Sequence, residues 1–393
     1  MRQPSKLAQY SMFGLLYFAQ GSVLSYFTAL NAIYLLSFGL NLGQIGLISG
    51  IALTPFVLKI FLGILSDRVN LFQMGHRKPY IIIGLIIQAV CLFIVPFVDP
   101  GKNFILYGLL AFLVMTGMAM YDTTTDGLAL DTIPAEEAGR IQGIMVGGRA
   151  MGVVVLSSLI GILAQKVSWM AAFWLLSILT LLPLVFLVGY KEPARKSERQ
   201  FEWQAFAAFK RWPIIALGLL GALYSLIINA TNEIINPFLQ ADFGISVMTA
   251  GFFTTVWGIG VVVGGVTGGP LTDRVGQRRA VEIALVISFV SVAIFSLTPS
   301  AGIAWVLVFV FGLAFGYYET VYFAISMRRS DPRIAASMFS ILMAIANIGT
   351  GIGLPLAGFL ADGVGFRWTF AIIASLNFLA IPLLPAVFRI GEN

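Results

Sequence analysis

Long apolar runs without charged residues dominate the pattern of this chain. No Asp, Glu, Lys, Arg or His occurs between Leu7 and Leu58, a stretch of 52 residues. Because about 20 apolar residues in an α-helix cross a bilayer core, this stretch is long enough for two crossings with a turn at 38–43. Further charge-free runs of similar length follow, and together they predict twelve membrane helices. The predicted helices span 9–37, 43–66, 79–98, 103–130, 138–165, 168–190, 212–240, 246–272, 279–298, 302–327, 334–361 and 367–388.

The length and continuity of these runs decide the fold class. A membrane β-barrel needs segments of about ten residues with alternating polarity, and these runs are longer and uninterrupted. The sequence therefore predicts an all-α membrane protein. Residues 1–6 lead directly into the first span without a small-residue cleavage site, so we expect that span to act as an uncleaved signal anchor.

The distribution of basic residues predicts the orientation in the membrane. Of the 24 Lys and Arg residues, Lys59 and Arg149 lie deep inside predicted spans, and three, Lys102, Lys166 and Arg367, lie in connections or at span ends on one side. The other nineteen lie on the opposite side. Cytoplasmic loops are enriched in Lys and Arg, so both termini are expected in the cytoplasm of a cell whose inner membrane holds the protein.

Composition excludes several classes of protein. The apolar fraction is 59%, the charged fraction is 11% and the mean hydropathy is +0.92, whereas soluble domains carry about 25% charged residues. A soluble enzyme, a disordered chain and a nucleic-acid binder are excluded. The net charge of +6 is explained by the basic residues of the predicted cytoplasmic side. The single Cys91 and the single His76 exclude a disulfide scaffold and His or Cys metal clusters, so no metal or cofactor is predicted.

The chain contains an internal repeat. Gly63–Val69 recurs as Gly269–Val275, and each copy is followed by a basic pair. An offset of 197 carries Gly152 onto Gly349. Two six-helix halves with the same direction are parallel repeats, a pattern typical of secondary transporters. The predicted domains are 1–190, a connection at 191–211, and 212–393. The connection is either an interfacial amphipathic helix or a solvated linker.

The run Gly269–Arg279 resembles the signature loop of the major facilitator superfamily, and Gly63–Val69 is its paired copy. A finer resemblance concerns the branch of muropeptide permeases and acetyl-coenzyme A transporters. It rests on Tyr17–Gly21, on Pro55–Lys59 with its lysine, and on the Asp-x-x-x-Asp-Gly motif that begins at Asp122. The resemblance implies twelve helices and a central site. No nucleophile–base pair or metal cluster appears in the sequence, so an enzyme is not expected.

Charged residues inside predicted spans are the candidates for a site, because burying them in lipid is costly unless they are paired or hydrated. They are Lys59, Asp122, Asp126, Arg149, Glu233 and Glu319. Asp122 and Asp126 are four residues apart and share a helix face. Repulsion between them favours a bound proton, although static pairing with Lys59 or Arg149 is an alternative. The two cations could equally hold an anionic solute, and Arg149 offers a bidentate fork.

Polar side chains near these positions predict a cavity. The segments around Glu233 and its counterpart in the first helix are too polar for a lipid-facing surface, and hydrogen bonding between helices is the alternative explanation. The predicted cavity residues are Gln20, Tyr26, Asn31, Asn232, Asn236 and Tyr318. The superfamily resemblance further implies that Asp67, Arg68, Asp273 and Arg274 form a cytoplasmic gate.

These features predict a secondary transporter that works by alternating access, with a proton as the coupling ion. The expected partners are a small organic solute, with anionic and glycosidic solutes as candidates, protons and the lipid bilayer. Nucleic acid is excluded, and a monomer is expected. The alternatives are a drug/proton antiporter and a non-transporting membrane receptor or assembly factor on the same scaffold.

Overall fold

The computed structural model describes residues 6–28, 30–134, 137–192, 210–329 and 335–388, without the side chains of 60, 64, 67, 138–140, 142 and 335–337. The predicted gate residue Asp67 and most of the predicted connection, 193–209, therefore lie outside the described parts. Within the described ranges all regular elements are helical. Eleven helices of these ranges are long and apolar enough to cross a membrane.

The chain divides into two compact units, and the boundary between them is not a single cut at the middle of the chain. Among the described residues, the first unit holds residues up to Asn31 and those from Ala52 to Glu192, and the second unit holds Ala32–Ile51 and everything from residue 210 onward. The short segment Ala32–Ile51 thus belongs to the second unit, although the chain on both of its sides belongs to the first. Helix bounds that straddle this division are given with the first unit.

The helices of the first part of the chain follow the predicted spans closely. They are α1 Lys6–Phe27, α2 Asn31–Leu36, α3 Leu42–Arg68, α4 Lys78–Ile94, α5 Phe104–Thr132, α6 Ala138–Lys166, α7 Trp169–Leu181 and α8 Leu184–Leu187. The predicted span 9–37 is two helices, because α1 ends at Phe27 and α2 begins only at Asn31. Short 3-10 turns at Leu71–Gln73 and Val95–Phe97 follow α3 and α4.

The second part of the chain repeats this order. Its helices are α9 Trp212–Phe243, α10 Val247–Val275, α11 Gln277–Ala293, α12 Ala301–Arg329, α13 Ala335–Val364, α14 Phe366–Ser375 and α15 Leu384–Phe388. Ser246 caps α10, since its hydroxyl accepts a hydrogen bond from the backbone N–H of Thr249 at 3.1 Å. Ser168 caps α7 in the same way through the N–H of Ala171.

Glycines set the closest helix contacts in each unit. In the first unit Gly84 of α4 faces the backbone of Gly117 of α5, where an added Cβ would lie 2.6 Å from a carbonyl oxygen. In the second unit Gly260 of α10 faces α12 at Phe309 and Leu313 in the same way. Small residues permit such approaches between membrane helices. The packing of α1 on α6 and of α9 on α13 follows the same rule.

Candidate functional site

Asp122 and Asp126, the two predicted site carboxylates of α5, meet different partners in the first unit. The Lys59 ammonium on α3 lies 3.6 Å from Asp122 Oδ2, and the side chains are 28% and 7% exposed. The Gln20 amide on α1 donates a hydrogen bond of 2.9 Å to Asp122 Oδ1. Asp126, one turn further along α5, accepts a hydrogen bond from the Tyr17 hydroxyl. The predicted pair therefore shares one face, and α1 supplies a donor to each member.

The second predicted cation, Arg149, lies on α6 close to this cluster. Its backbone carbonyl sits against Gly21 of α1, where no Cβ could fit. Its half-buried guanidinium acts electrostatically on Asp126 and on Tyr17. Of the two pairings left open by the sequence, the structure gives Lys59 with Asp122. The cluster thus combines two acids and two bases within one helix bundle.

Tyr26 and Asn31, two predicted cavity residues, lie in a buried hydrogen-bonded group with Tyr107. The hydroxyls of Tyr26 and Tyr107 are 2.9 Å apart, and they donate to Asn31 Oδ1 at 3.1 and 3.3 Å. All three side chains are buried. The group links residues near the end of α1 and the start of α2 to α5.

Glu233 of α9 is buried in the second unit. The hydroxyl of Ser49, near the middle of α3, donates a hydrogen bond of 2.7 Å to Glu233 Oε1. Glu233 is 8% exposed, and Ser49 is equally buried. A buried carboxylate that meets a hydroxyl rather than a cation carries an uncompensated charge whenever it is ionised.

A small cavity, with room for about one water molecule, lies close to Glu233 along the chain and within the same unit. Its polar lining comes from Asn232, Asn236 and Thr254, and the Asn236 amide donates to the Thr254 hydroxyl at 3.0 Å. Its apolar lining includes Phe253 and Trp257. Amides, a hydroxyl and flat aromatic faces without a charge are groups that can contact neutral polar solutes.

The tenth predicted span, now α12, places Glu319 and Tyr318 beside a cluster of aromatic rings. Tyr318 is 1% exposed, and its ring centroid is 4.9 Å from that of Tyr224 on α9. Tyr224 has the same centroid distance to Tyr322. Glu319 is half-buried and acts electrostatically on Tyr224. Glu319 therefore lies near the aromatic cluster of the second unit.

The predicted gate residues of the second unit are exposed. Asp273 at the end of α10 forms an ion pair with Arg328 of α12, and Arg274 is exposed. In the first unit Arg68 is exposed, whereas the neighbouring Arg77 is buried. Their gating role remains a prediction from the resemblance.

Arg77 and Glu192 organise this end of the first unit. Arg77 donates to Asp131 Oδ2 at 3.2 Å and to the Ser66 hydroxyl at 2.6 Å. The Glu192 carboxylate accepts hydrogen bonds from the backbone N–H groups of residues 76, 77 and 78 at 2.9 to 3.1 Å. An anion at a helix start is favourable because the first N–H groups lack partners within the helix. Gly75, with φ +114°, leaves the room that the carboxylate occupies.

Sequence reasoning missed Tyr17 and Ser49 as partners of the site. Tyr17 lies one turn before Gln20 on the same polar face of α1, and this spacing was an available signal. Ser49 lies in an apolar helix and carried no signal of its own. Within the described ranges, no three His, Cys, Asp or Glu side chains come together as a metal site.

Comparison with known proteins places this geometry among membrane transporters. A family model described as Major Facilitator Superfamily matches residues 12–232 and 217–392. The anhydromuropeptide permease of Escherichia coli strain K12 is 25% identical over 349 residues, which cover 84% of this chain and 70% of the permease.

Two solved structures share the fold. One is a bacterial homologue of the human lysosomal transporter Spinster in an inward-facing and unoccupied conformation, which superposes with a TM-score of 0.77 at 18% identity. The superposition covers 98% of this chain and 96% of the homologue's chain. The nucleoside transporter NupG superposes with a TM-score of 0.78 at 16% identity, covering 99% of each chain.

Proposed function

The chain belongs to the major facilitator superfamily, and we propose that it is a proton-coupled symporter that moves a small organic solute across the inner membrane by alternating access. Its relatives are permeases and transporters, so it is a multi-pass membrane transporter of small solutes and not an enzyme. Proton coupling, the solute, a monomeric state and an orientation with both termini in the cytoplasm belong to the proposal.

One observation carries the proposal: two carboxylates lie one helical turn apart, and among the described residues a lysine lies within ion-pair distance of Asp122 but not of Asp126. Asp126 is left beside a like charge, with a phenol as its donor. A proton on one of the two acids removes the repulsion. Intramembrane acids arranged in this way are typical of proton paths.

The same cluster couples proton binding to solute binding. An anionic group that binds Lys59 would displace Asp122 from its partner. The released carboxylate would then be a buried charge without a cation, and protonation would remove that cost. Solute and proton would therefore bind together and leave together, as symport requires.

The cavity beside Asn232 and Asn236 supports a solute with a neutral polar part. Its amides and the Thr254 hydroxyl can exchange hydrogen bonds with ring hydroxyl or acetamido groups, and Phe253 and Trp257 offer apolar faces. We therefore favour a glycosidic solute that carries an acidic group as well as hydroxyl or acetamido groups.

Uptake into proteoliposomes under an imposed pH gradient tests this proposal. A panel of sugar acids, N-acetylated sugars and nucleosides would first be screened by thermal stabilisation of the purified protein. We expect uptake of a stabilising solute to accelerate when the outside is acidic. Asp126→Asn is expected to abolish this acceleration while solute exchange across the membrane continues.

Asp99→Asn is the matched control, because Asp99 is an acid outside the spans that pairs with the exposed Lys102. It should transport like the unmodified protein. Uptake that ignores the pH gradient in the unmodified protein, or an Asp126→Asn variant that responds to it normally, would contradict proton coupling at this pair.

A further inference from the structure

A polar seam joins three apolar helices of the first unit. Gln88 lies inside α4 and is fully buried. Its amide nitrogen donates a hydrogen bond of 3.2 Å to the Val114 carbonyl of α5, and its amide oxygen accepts one of 3.1 Å from the Tyr121 hydroxyl of the same helix. The Thr180 hydroxyl of α7 lies 3.5 Å from the same oxygen. We call Gln88, Tyr121 and Thr180 the seam.

The seam is a costly feature for this part of the chain. Between Ile81 and Ile94, Gln88 is the only residue with an amide, hydroxyl or charged side chain. Burying an amide in a membrane span is unfavourable unless its donors and acceptor find partners. The seam supplies these partners, and two of the three hydrogen-bonding groups come from α5. The amide therefore acts mainly on the contact between α4 and α5.

That contact is close and has little side-chain interlocking of its own. Gly84 of α4 faces the Gly117 carbonyl of α5, and an added Cβ at Gly117 would lie 2.8 Å from the backbone nitrogen of Gln88. Two backbones that meet through glycines can slide or rotate against each other. The bonds from Gln88 reach Val114 and Tyr121, which are about two turns apart on α5. They therefore fix both the height and the rotation of α5 on α4.

The two site carboxylates lie on a different face of α5 from the seam. Successive residues of an α-helix are about 100° apart. Val114, Gly117 and Tyr121 therefore share the face that contacts α4. Asp122 and Asp126 lie about a third of a turn away from it. The seam holds α5 from behind while the acids face their partners.

The partners of the acids leave little room for a rotation of α5. A side-chain oxygen roughly 6 Å from the helix axis moves by about 2 Å when the helix turns by about 20°. Asp122 receives its hydrogen bond from Gln20 at 2.9 Å and has the Lys59 ammonium at 3.6 Å. A displacement of this size would lengthen both contacts beyond the range of a hydrogen bond or an ion pair.

We propose that Gln88 is a positioning residue, which sets the rotation of α5 through Tyr121 and Val114 and so keeps Asp122 and Asp126 turned toward their partners on α1 and α3. It acts through α5 and not by contact with the acids. The consequence for uptake, though not the placement of α5, rests on the proposed transport function.

Disulfide cross-linking tests the placement of α5 without any solute. An added Cβ at Gly63 of α3 would lie 3.4 Å from the methyl carbon of Thr123 of α5. The pair Gly63→Cys with Thr123→Cys, with the native thiol removed by Cys91→Ala, therefore reports how α5 faces α3 in lipid nanodiscs. We expect Gln88→Met to slow copper–phenanthroline cross-linking about fivefold, the factor that loss of one buried hydrogen bond gives.

Tyr121→Phe removes the same hydrogen bond from the other side and leaves the amide in place. We expect it to slow cross-linking as well. The double variant Gln88→Met with Tyr121→Phe should be no slower than Gln88→Met alone, because both changes remove one shared bond. Additive effects would mean that the two residues act independently and would overturn the proposal.

Ser177→Ala is the matched control. Its buried hydroxyl on α7 donates a hydrogen bond of 2.8 Å to the Ala89 carbonyl of α4, next to Gln88, and so joins α4 to α7 instead of α5. The cross-linking rate should be unchanged in this variant. An equal slowing in the control would overturn the proposal, as would a Gln88→Met rate equal to or above that of the reporter protein. A reporter pair that fails to cross-link would contradict the contact of α3 with α5.

Uptake tests the consequence for the acids. In the otherwise unmodified protein we expect Gln88→Met to lower the maximal uptake rate about tenfold, because small misplacements of reacting groups are costly. The pH at half-maximal uptake should move by about one unit, since the carboxylates would lie at changed distances from Lys59 and Arg149. Ser177→Ala should change neither quantity. A lower rate with an unchanged pH dependence would indicate a purely structural role and overturn the proposal.

The two proposals fail in distinguishable ways. If Gln88→Met slows cross-linking but the unmodified protein takes up no solute of the panel, transport is wrong and the placement of α5 by Gln88 stands. If uptake by the unmodified protein follows the pH gradient and Gln88→Met leaves the cross-linking and the uptake unchanged, the positioning role is wrong and the symporter stands.

Discussion

The two units solve the problem of a buried acid in opposite ways. Asp122 in the first unit has a lysine at 3.6 Å and an amide donor at 2.9 Å. Glu233 in the second unit has a serine hydroxyl at 2.7 Å, and no cation of the described residues lies within ion-pair distance of it. The first arrangement places opposite charges side by side, and in the proposed mechanism a solute separates them. The second is stable when neutral, because an ionised Glu233 would lack a compensating charge.

The scaffolds that carry these acids are nevertheless alike. Gly152 of α6 packs on the backbone of α1 at Phe18 and Ser22, and Gly349 of α13 packs on the backbone of α9 at Ala222. Both glycines occupy equivalent places in the repeat. The repeat thus fixes where helices touch, whereas the chemistry of each unit depends on a few side chains that differ between the copies.

The largest effect should come from removing one charge of the first unit. Lys59→Met leaves Asp122 buried without its cation, and we expect a loss of about 3 kcal/mol in the free energy of unfolding together with loss of uptake. Adding Asp122→Asn should recover most of the stability but not the uptake. Denaturant titration of the purified protein measures both variants.

Lys102→Met is the control for this comparison. Its pair with Asp99 is exposed, so a change below about 0.5 kcal/mol is expected. If Lys59→Met were as stable as this control, the Lys59–Asp122 pair would contribute nothing to the stability of the fold. The energetic contrast between the two units would then be wrong.

A smaller effect is expected at the shared helix contacts. Gly349→Ala forces a methyl group against the Ala222 carbonyl and should cost about 2 kcal/mol. Gly152→Ala should cost a similar amount if the scaffolds are equivalent. Gly269→Ala meets no atom within 4 Å and should be neutral or slightly stabilising. Unequal losses of stability at the two equivalent glycines would show that the two copies of the repeat differ in the energy of their helix packing.

The smallest effect should come from the hydroxyl of the second unit. Ser49→Ala removes the donor to Glu233 and is expected to cost about 1 kcal/mol. Ser157→Ala is the control, because this equally buried hydroxyl bonds to the Val153 carbonyl of its own helix. The midpoints of thermal unfolding of both variants measure this difference. Equal midpoints would show that the hydrogen bond from Ser49 to Glu233 adds no stability beyond that of an ordinary buried hydroxyl.

The sequence predicted the spans and the charged positions well, for a physical reason. Charged residues are expensive in lipid, so their absence marks a span and their presence marks a site. The break between Phe27 and Asn31 was not predictable, because no proline or glycine lies there. The partner of Lys59 was open between Asp122 and Asp126 until the relative rotation of α3 and α5 was known. Tyr17 and Ser49 could be assigned only when their helices were placed against α5 and α9.

The resemblance to the major facilitator superfamily and its muropeptide permease branch is confirmed by the family match and by the 25% identity with the permease. The role of each site residue stays a prediction. Gln20 and Asn236 make hydrogen bonds that fit either a cavity or a purely structural contact. Only their response to a solute can separate these roles.

The bond between Glu192 and the start of α4 has a consequence for separating the chain into independently expressed fragments. A first fragment that stops at residue 190, the boundary expected from hydropathy, would leave three N–H groups of residues 76–78 without their acceptor. Extending it by two residues restores that acceptor. Co-expressed fragments should therefore reassemble better when the cut follows Glu192.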